Sequence, residues 1–130
     1  MRHSLGIGAA IAVALGAVGG HAEDKGPKLS AAFGACMDRA AGVDPAMWSC
    51  QTAEHDRQDA RLNADYKALM ARLSPGQQSD LRTRERAWIK RAKAKCDHAG
   101  DAEAGGTLQS TEVAQCYIDE TAHRANALER

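Results

Sequence analysis

The chain predicts an all-α fold: a small antiparallel three-helix bundle plus a short N-terminal helix, tied together by disulfides. Three observations carry that expectation. Apolar residues recur at steps of three and four along most of the chain, the spacing of one helix face. Two acid-or-hydroxyl plus proline pairs, Asp44-Pro45 and Ser74-Pro75, mark helix starts. Four cysteines lie in a chain of only 130 residues, an even count that reads as a disulfide framework in an exported protein. No alternating strand pattern, internal repeat or heptad run competes with this reading.

Export is read from the first 22 positions. Met1-Arg2-His3 is a short positive region, Leu5 to Val18 is apolar but too short to span a bilayer comfortably, and Gly20-His21-Ala22 places small residues before a cleavage point. Residues 1–22 are therefore expected to be a signal peptide cleaved after Ala22, with the product periplasmic or secreted. The first cysteine, Cys36, is far from the apolar run, so neither a lipid attachment nor another membrane anchor is expected. Residues 23–28, EDKGPK, form a polar leader. Residues 29–130 form one domain.

Cys36, Cys50, Cys96 and Cys116 allow three pairings. Cys36–Cys50 with Cys96–Cys116 closes the shortest loops and joins neighbouring elements, so it is favoured. Such cross-links matter here because large apolar residues are few and Phe33 is the only phenylalanine. A core of this size leaves little net stability.

The elements follow in order. Leu29 to Ala41 fits a short helix, with Ser30 as N-cap, Phe33 and Met37 four apart, and Gly42 as the stop. Asp44 is the expected N-cap of a helix reaching about Leu73. Its clearest face is Leu62, Tyr66, Leu69 and Leu73; the same stripe runs back through Asp59, His55, Thr52 and Trp48. Ser74 and Gln77 suit a capping box. They open a third helix, 75–96, whose stripe is Leu81, Glu85, Trp88, Ala92 and Cys96. A helix this tightly joined to its predecessor forms an antiparallel hairpin. Asp97 to Gly106 is loop by composition. Thr107 is the expected cap of a last helix, 107–128, with Val113, Tyr117, Thr121, Arg124 and Leu128 on one face.

A net charge of zero hides two opposed regions. Positions 82–95 hold seven basic residues and one acid, Glu85, whereas 97–120 hold six acids and no lysine or arginine. The basic run suits anionic cell-wall or outer-membrane polymers; its ordinary reading is a solvated face. Nucleic acid is excluded as a partner by export and by the lack of interleaved aromatic residues. The loop acids Asp97, Asp101 and Glu103 suit a basic protein partner, against the plainer reading of a soluble loop. His98 beside Asp97, and Cys50 with Glu54 and His55, match no zinc spacing, and paired cysteines are unavailable as thiolates, so no metal is expected. No nucleophile elbow or Cys-His pair appears, so no catalytic residue and no cofactor is assigned. Tyr66, Trp88 and Tyr117 could line a ligand pocket, but in a bundle this small they are expected in the core. Glu85, Asp59 and Arg124 are charged positions on apolar stripes and must pair or reach water. The expectation is a cross-helix pair of Glu85 or Asp59 with Arg124 or Arg91.

These same residues carry a resemblance. Cys50, Asp59-x-x-Leu62-Asn63-x-x-Tyr66, Leu81, Ala87-Trp88, Arg91 and Cys96, followed by Gly105-Gly106-Thr107, Cys116, Thr121-x-x-Arg124 and Leu128, resemble the LprI-type lysozyme-inhibitor domain family. Cys36 fits an upstream cysteine seen in many members. The resemblance implies a small helical bundle of the bacterial envelope whose named activity is binding and inhibiting lysozyme, without catalysis. It also implies a framework role for Asp59, Leu62, Asn63, Tyr66, Glu85, Trp88, Arg91 and Arg124. Two departures stand out: Glu85 replaces the usual glutamine, and the namesake's lipid-attachment cysteine is missing.

Overall fold

The structure, a computed structural model, describes residues 26–129. The expected signal peptide, its cleavage after Ala22 and the first half of the polar leader lie outside the described residues. Helix α1 spans Ala31–Ala40. Ser30 caps it as expected: its backbone is extended and its hydroxyl accepts the Phe33 N–H at 3.1 Å. The expected stop at Gly42 begins one residue early. Ala41 already has φ 47°, and Gly42 follows at φ 80°. An alanine thus bears a left-handed conformation that glycine adopts without strain.

Helix α2 spans Asp44–Met70. Here two expectations are corrected. Val43 holds the N-cap position and no side chain caps the helix; Asp44 is the first helical residue. Its carboxylate lies in the first turn and acts there through the helix dipole. The helix also ends before Leu73. Positions 71–73 form a turn, and the Gln78 amide reaches back to the carbonyls of Met70 (3.1 Å) and Leu73 (3.2 Å). A side chain from the next helix thereby satisfies carbonyls that the helix leaves open.

Helix α3 spans Pro75–Cys96, as expected, behind a full capping box: Gln77 N–H to the Ser74 hydroxyl, and Ser74 N–H to the Gln77 side chain. The loop after it contains a 3-10 turn, Asp101–Glu103. Gly100 presses this loop onto the next helix. A Cβ there would stand 2.6 Å from the Gln109 carbonyl oxygen, so any other residue would push the loop off the helix. Helix α4 spans Leu108–Leu128. Thr107 holds the N-cap position, but its backbone angles (φ −67°, ψ −25°) are those of a helix and not the extended ones of a capping residue, and its side chain makes no capping bond.

The helices run up, down, up. The Gln51 amide donates to the Thr111 carbonyl and Arg61 to that of Ala122, so α2 and α4 advance together. Cys96–Cys116 and Arg124 on Glu85 set α3 antiparallel to α4. Cys36–Cys50 ties α1 to α2. The two cross-links are the expected pair.

Two apolar clusters result. One lies toward the α2–α3 turn and contains Leu62, Leu81, Ala125 and Leu128, with Tyr66, Leu69, Met70, Leu73 and Trp88 packed against it. The other lies under α1 and contains Phe33, Ala40 and Cys50. Between them the first half of α2 buries a polar stripe, Gln51, Glu54 and Gln58. This corrects the expected face. Trp48, Thr52 and Asp59 are exposed and His55 is half-buried. The expected face of α4 also turns: Thr121 and Leu128 are buried beside Ile118, Ala122 and Ala125, whereas Val113, Tyr117 and Arg124 are half-buried.

The polar stripe is buried because donors meet Glu54 and the Gln51 and Gln58 amides donate to neighbouring oxygens. The side-chain carbonyl oxygens of Gln51 and Gln58 find no partner among the described residues. Glu54 is fully buried. It accepts the Ser30 N–H (2.8 Å), the Ser30 hydroxyl (2.6 Å), the Gln58 amide (2.6 Å) and Arg57 (2.8 Å). Burial pushes its carboxyl up, but these donors together outweigh that and hold it below the usual carboxylate range. Gln58 also donates to the Lys28 carbonyl at 3.0 Å. The approach to α1 is thereby fastened to the middle of α2.

Candidate functional site

Because α4 packs along both α2 and α3, the face between those two is left as a groove of about 490 Å³, within the size range of ligand sites. From α2 it is lined by His55, Asp59, Asn63 and Tyr66; from α3 by Glu85, Trp88, Ile89 and Lys93. Buried Leu62, Ala92 and Thr121 form its floor, with half-buried Tyr117 and Glu120 from α4. A smaller hollow of about 260 Å³, lined in part by Trp48, Gln51 and Thr52, shares His55 and Tyr117 with it. The depression therefore continues along α2 toward Trp48, which is 53% exposed.

The expected core aromatics are thus groove residues. Tyr66, Trp88 and Tyr117 are half-buried, each with part of its surface turned to the depression. Apart from the cysteines, the buried apolar positions of the three long helices go to aliphatic side chains instead, Leu62, Leu81, Ile118 and Leu128 together with Ala92, Ala122 and Ala125.

Each charge of the groove has a traceable neighbour. Arg124 donates to both oxygens of Glu85, through Nε at 3.0 and 3.2 Å and also through Nη2. Both side chains are under one-fifth exposed, so this is the cross-helix pair among those left open by the sequence. Lys95 reaches Glu120 at 2.5 Å. Asp59 accepts the amide of Asn63 at 3.0 Å. Both are exposed. Arg91 is exposed as well.

The loop acids meet the groove through Asp97. Its carboxylate accepts Lys93 at 2.5 Å and the Tyr117 hydroxyl at 2.8 Å, and both partners line the groove. These donors hold Asp97 below the usual carboxylate range, and Asp97 in turn raises the Tyr117 phenol. Asp101 pairs with His98 at 2.8 Å. Glu103 is exposed on the 3-10 turn. The metal idea at Cys50, Glu54 and His55 is answered by bonding: Cys50 is in a disulfide and Glu54 is taken by its four donors. Among the described residues no helix is long and apolar enough to cross a membrane.

Read from sequence, a pocket at Tyr66, Trp88 and Tyr117 ranks second to a core, because Asp59, Leu62, Asn63, Tyr66, Glu85 and Trp88 are taken as one-dimensional stripes. Their i, i+3 and i+4 spacing was a signal that they share a face. What spacing does not disclose is that two such faces stand apart across α4. A family model described as lysozyme inhibitor LprI matches residues 36–128. No curated protein matches the chain, and no solved structure does. The match takes in both disulfides, the groove and the loop beside it, and by that coverage the chain belongs to the LprI lysozyme-inhibitor family.

Proposed function

We propose that the protein is an exported lysozyme inhibitor, which binds the enzyme and blocks its cleft without performing chemistry of its own. The observation that carries this is the family match over residues 36–128. The surface supports it: the stretch 97–120 is acidic without a single lysine or arginine, and lysozymes are usually basic. Asp97, Asp101 and Glu103 are the loop contacts in this reading. They steer the encounter, which raises the association rate and weakens with salt. Asp97 extends this acidic edge to the groove through Lys93 and Tyr117.

The test is lysis of a bacterial suspension by several lysozyme classes, with and without the purified oxidised protein. Inhibition that declines with added salt is expected. Absence of inhibition in every class removes the function. Full inhibition by the Asp97→Asn, Asp101→Asn, Glu103→Gln triple variant at every salt concentration removes the loop assignment but leaves the function.

A second reading has its own observation. Arg82, Arg84, Lys90 and Arg91 are all exposed on α3, a basic surface suited to anionic envelope polymer. It predicts retention on peptidoglycan or lipopolysaccharide that is lost when Arg82, Arg84 and Lys90 are neutralised.

A further inference from the structure

Two exposed residues of α2, Asp59 and Asn63, line the groove. Asp59 and Asn63 bond to each other across one helical turn, and no ion pair to Asp59 forms among the described residues. Other groove charges are occupied: Glu85 holds Arg124, Glu120 holds Lys95, and Lys93 holds Asp97. Asp59 is thus a carboxylate held by a neutral amide, in a depression with Tyr66 and Trp88. Aromatic faces attract cations through their quadrupole, and more strongly when the cation leaves water. The one ammonium of the lining, Lys93, is drawn off to Asp97 at 2.5 Å.

We propose that this groove is an anchor site for a cationic side chain, an arginine or lysine of a protein partner, paired with Asp59 and covered by Trp88 and Tyr66. The carboxylate supplies charge, Asn63 fixes its orientation, and the aromatic walls exclude water from the pair. Arginine is favoured over lysine, because its planar fork stacks on aromatic faces and meets a carboxylate with two donors. The volume of about 490 Å³ leaves room for the backbone that carries such a side chain. This assignment rests on the inhibitor reading for the identity of the partner, but not for the existence of the site.

The experiment titrates the oxidised full chain with the peptide acetyl-Gly-Arg-Gly-amide, following the indole N–H of Trp88 by NMR, with its assignment fixed by Trp48→Phe. Saturable movement of the Trp88 signal is expected. In Asp59→Asn, of unchanged melting temperature, binding weakens by about tenfold, the scale of a lost paired charge. Lysine in place of arginine binds more weakly, and norleucine leaves the signal unmoved. Equal movement with norleucine, no movement with either cation, or the same affinity in Asp59→Asn overturns the site. So does preferential binding of chitotetraose, which would make it a glycan groove. Lysis assays separate the two claims. A wild type that inhibits no lysozyme yet binds the arginine peptide supports the site and removes the inhibitor reading. An Asp59→Asn variant that inhibits as well as wild type removes the anchor and leaves the inhibitor reading in place.

Discussion

The two ends of α2 are held in place by different chemistry. Toward the α2–α3 turn, Leu62 joins Leu81, Ala125 and Leu128 in an apolar cluster. Toward α1, the same helix buries Gln51, Glu54 and Gln58 and adds a disulfide from Cys50. The apolar end gains stability in proportion to area removed from water and tolerates small misplacements. The polar end does not, because every buried donor and acceptor must meet a partner or lose the full cost of desolvation. A small chain short of large apolar residues can therefore close a domain by making one end greasy and fastening the other through hydrogen bonds centred on Glu54. The groove lies alongside, where α2 and α3, joined to each other near their turn, are spanned by α4.

The largest expected effect lies at the apolar end. Leu81 is 1% exposed, so Leu81→Ala leaves a cavity and should cost about 3–4 kcal/mol, measured as a lower urea midpoint. Opening Cys36–Cys50 tests the other end. The bridge spans 14 positions, and losing a loop of that size should cost roughly 3 kcal/mol by chain entropy. The paired Cys36→Ser, Cys50→Ser variant should also lose hydrogen-exchange protection in α1 before α4. If α1 stays protected, the Ser30–Glu54 bonding alone suffices and the cross-link is redundant.

Glu54 is the sharpest probe of the polar end. Glu54→Ala strands the Ser30 and Gln58 donors and should cost about 2 kcal/mol. Its pH dependence has a definite sign. The folded carboxyl titrates below its unfolded value, so its contribution is present above the ordinary carboxylate range. It is lost as pH falls through the folded value. Glu54→Gln should flatten the acid limb of the stability curve, as followed by urea midpoints through the acid range. A variant with the same acid limb as wild type would assign acid sensitivity elsewhere.

The same contrast explains what the sequence disclosed. The Ser74–Gln77 box, the start at Pro75 and the Ser30 cap are local signals, and the structure contains each of them. The cysteine pairing was accessible from loop length. The buried face of α2 was not. Glu54 and Gln58 are buried because Ser30 and the Lys28 carbonyl, 24 and 30 positions away, supply partners. Nothing within a helical window marks that, and polar residues at those positions read as solvent-facing. The apolar residues Trp48, Tyr66 and Trp88 pulled the expected stripe toward what is the groove. A stripe of aromatics spaced for a helix face is the same pattern whether a core or a binding surface uses it. Trp88 tests the distinction. A core tryptophan would cost roughly 3–5 kcal/mol on truncation, whereas half-buried Trp88 should cost about 1–2 kcal/mol, in proportion to the smaller area it hides. A calorimetric melt of Trp88→Ala decides between them, and the larger value would return this residue to the core.

The smallest effect belongs to the groove edge. Lys93 and Asp97 form a short pair, but their side chains are 69% and 43% exposed, and exposed ion pairs contribute little to folding. Lys93→Ala should leave the melting midpoint unchanged within error. It should nevertheless move a titration. Lys93 is the first of the donors that hold Asp97 low, ahead of Tyr117, so its removal should raise the Asp97 carboxyl toward its ordinary value, read by NMR of the carboxyl carbon. Unchanged stability with a shifted Asp97 would mean that the pair shapes the charge of the groove edge and not the fold. A lower midpoint would mean that the acidic loop is fastened through this contact and belongs with the polar end of α2 as a second region held by hydrogen bonding. In that case, neutralising Asp97 would confound any binding measurement, and loop contacts would have to be read from Asp101 and Glu103 alone.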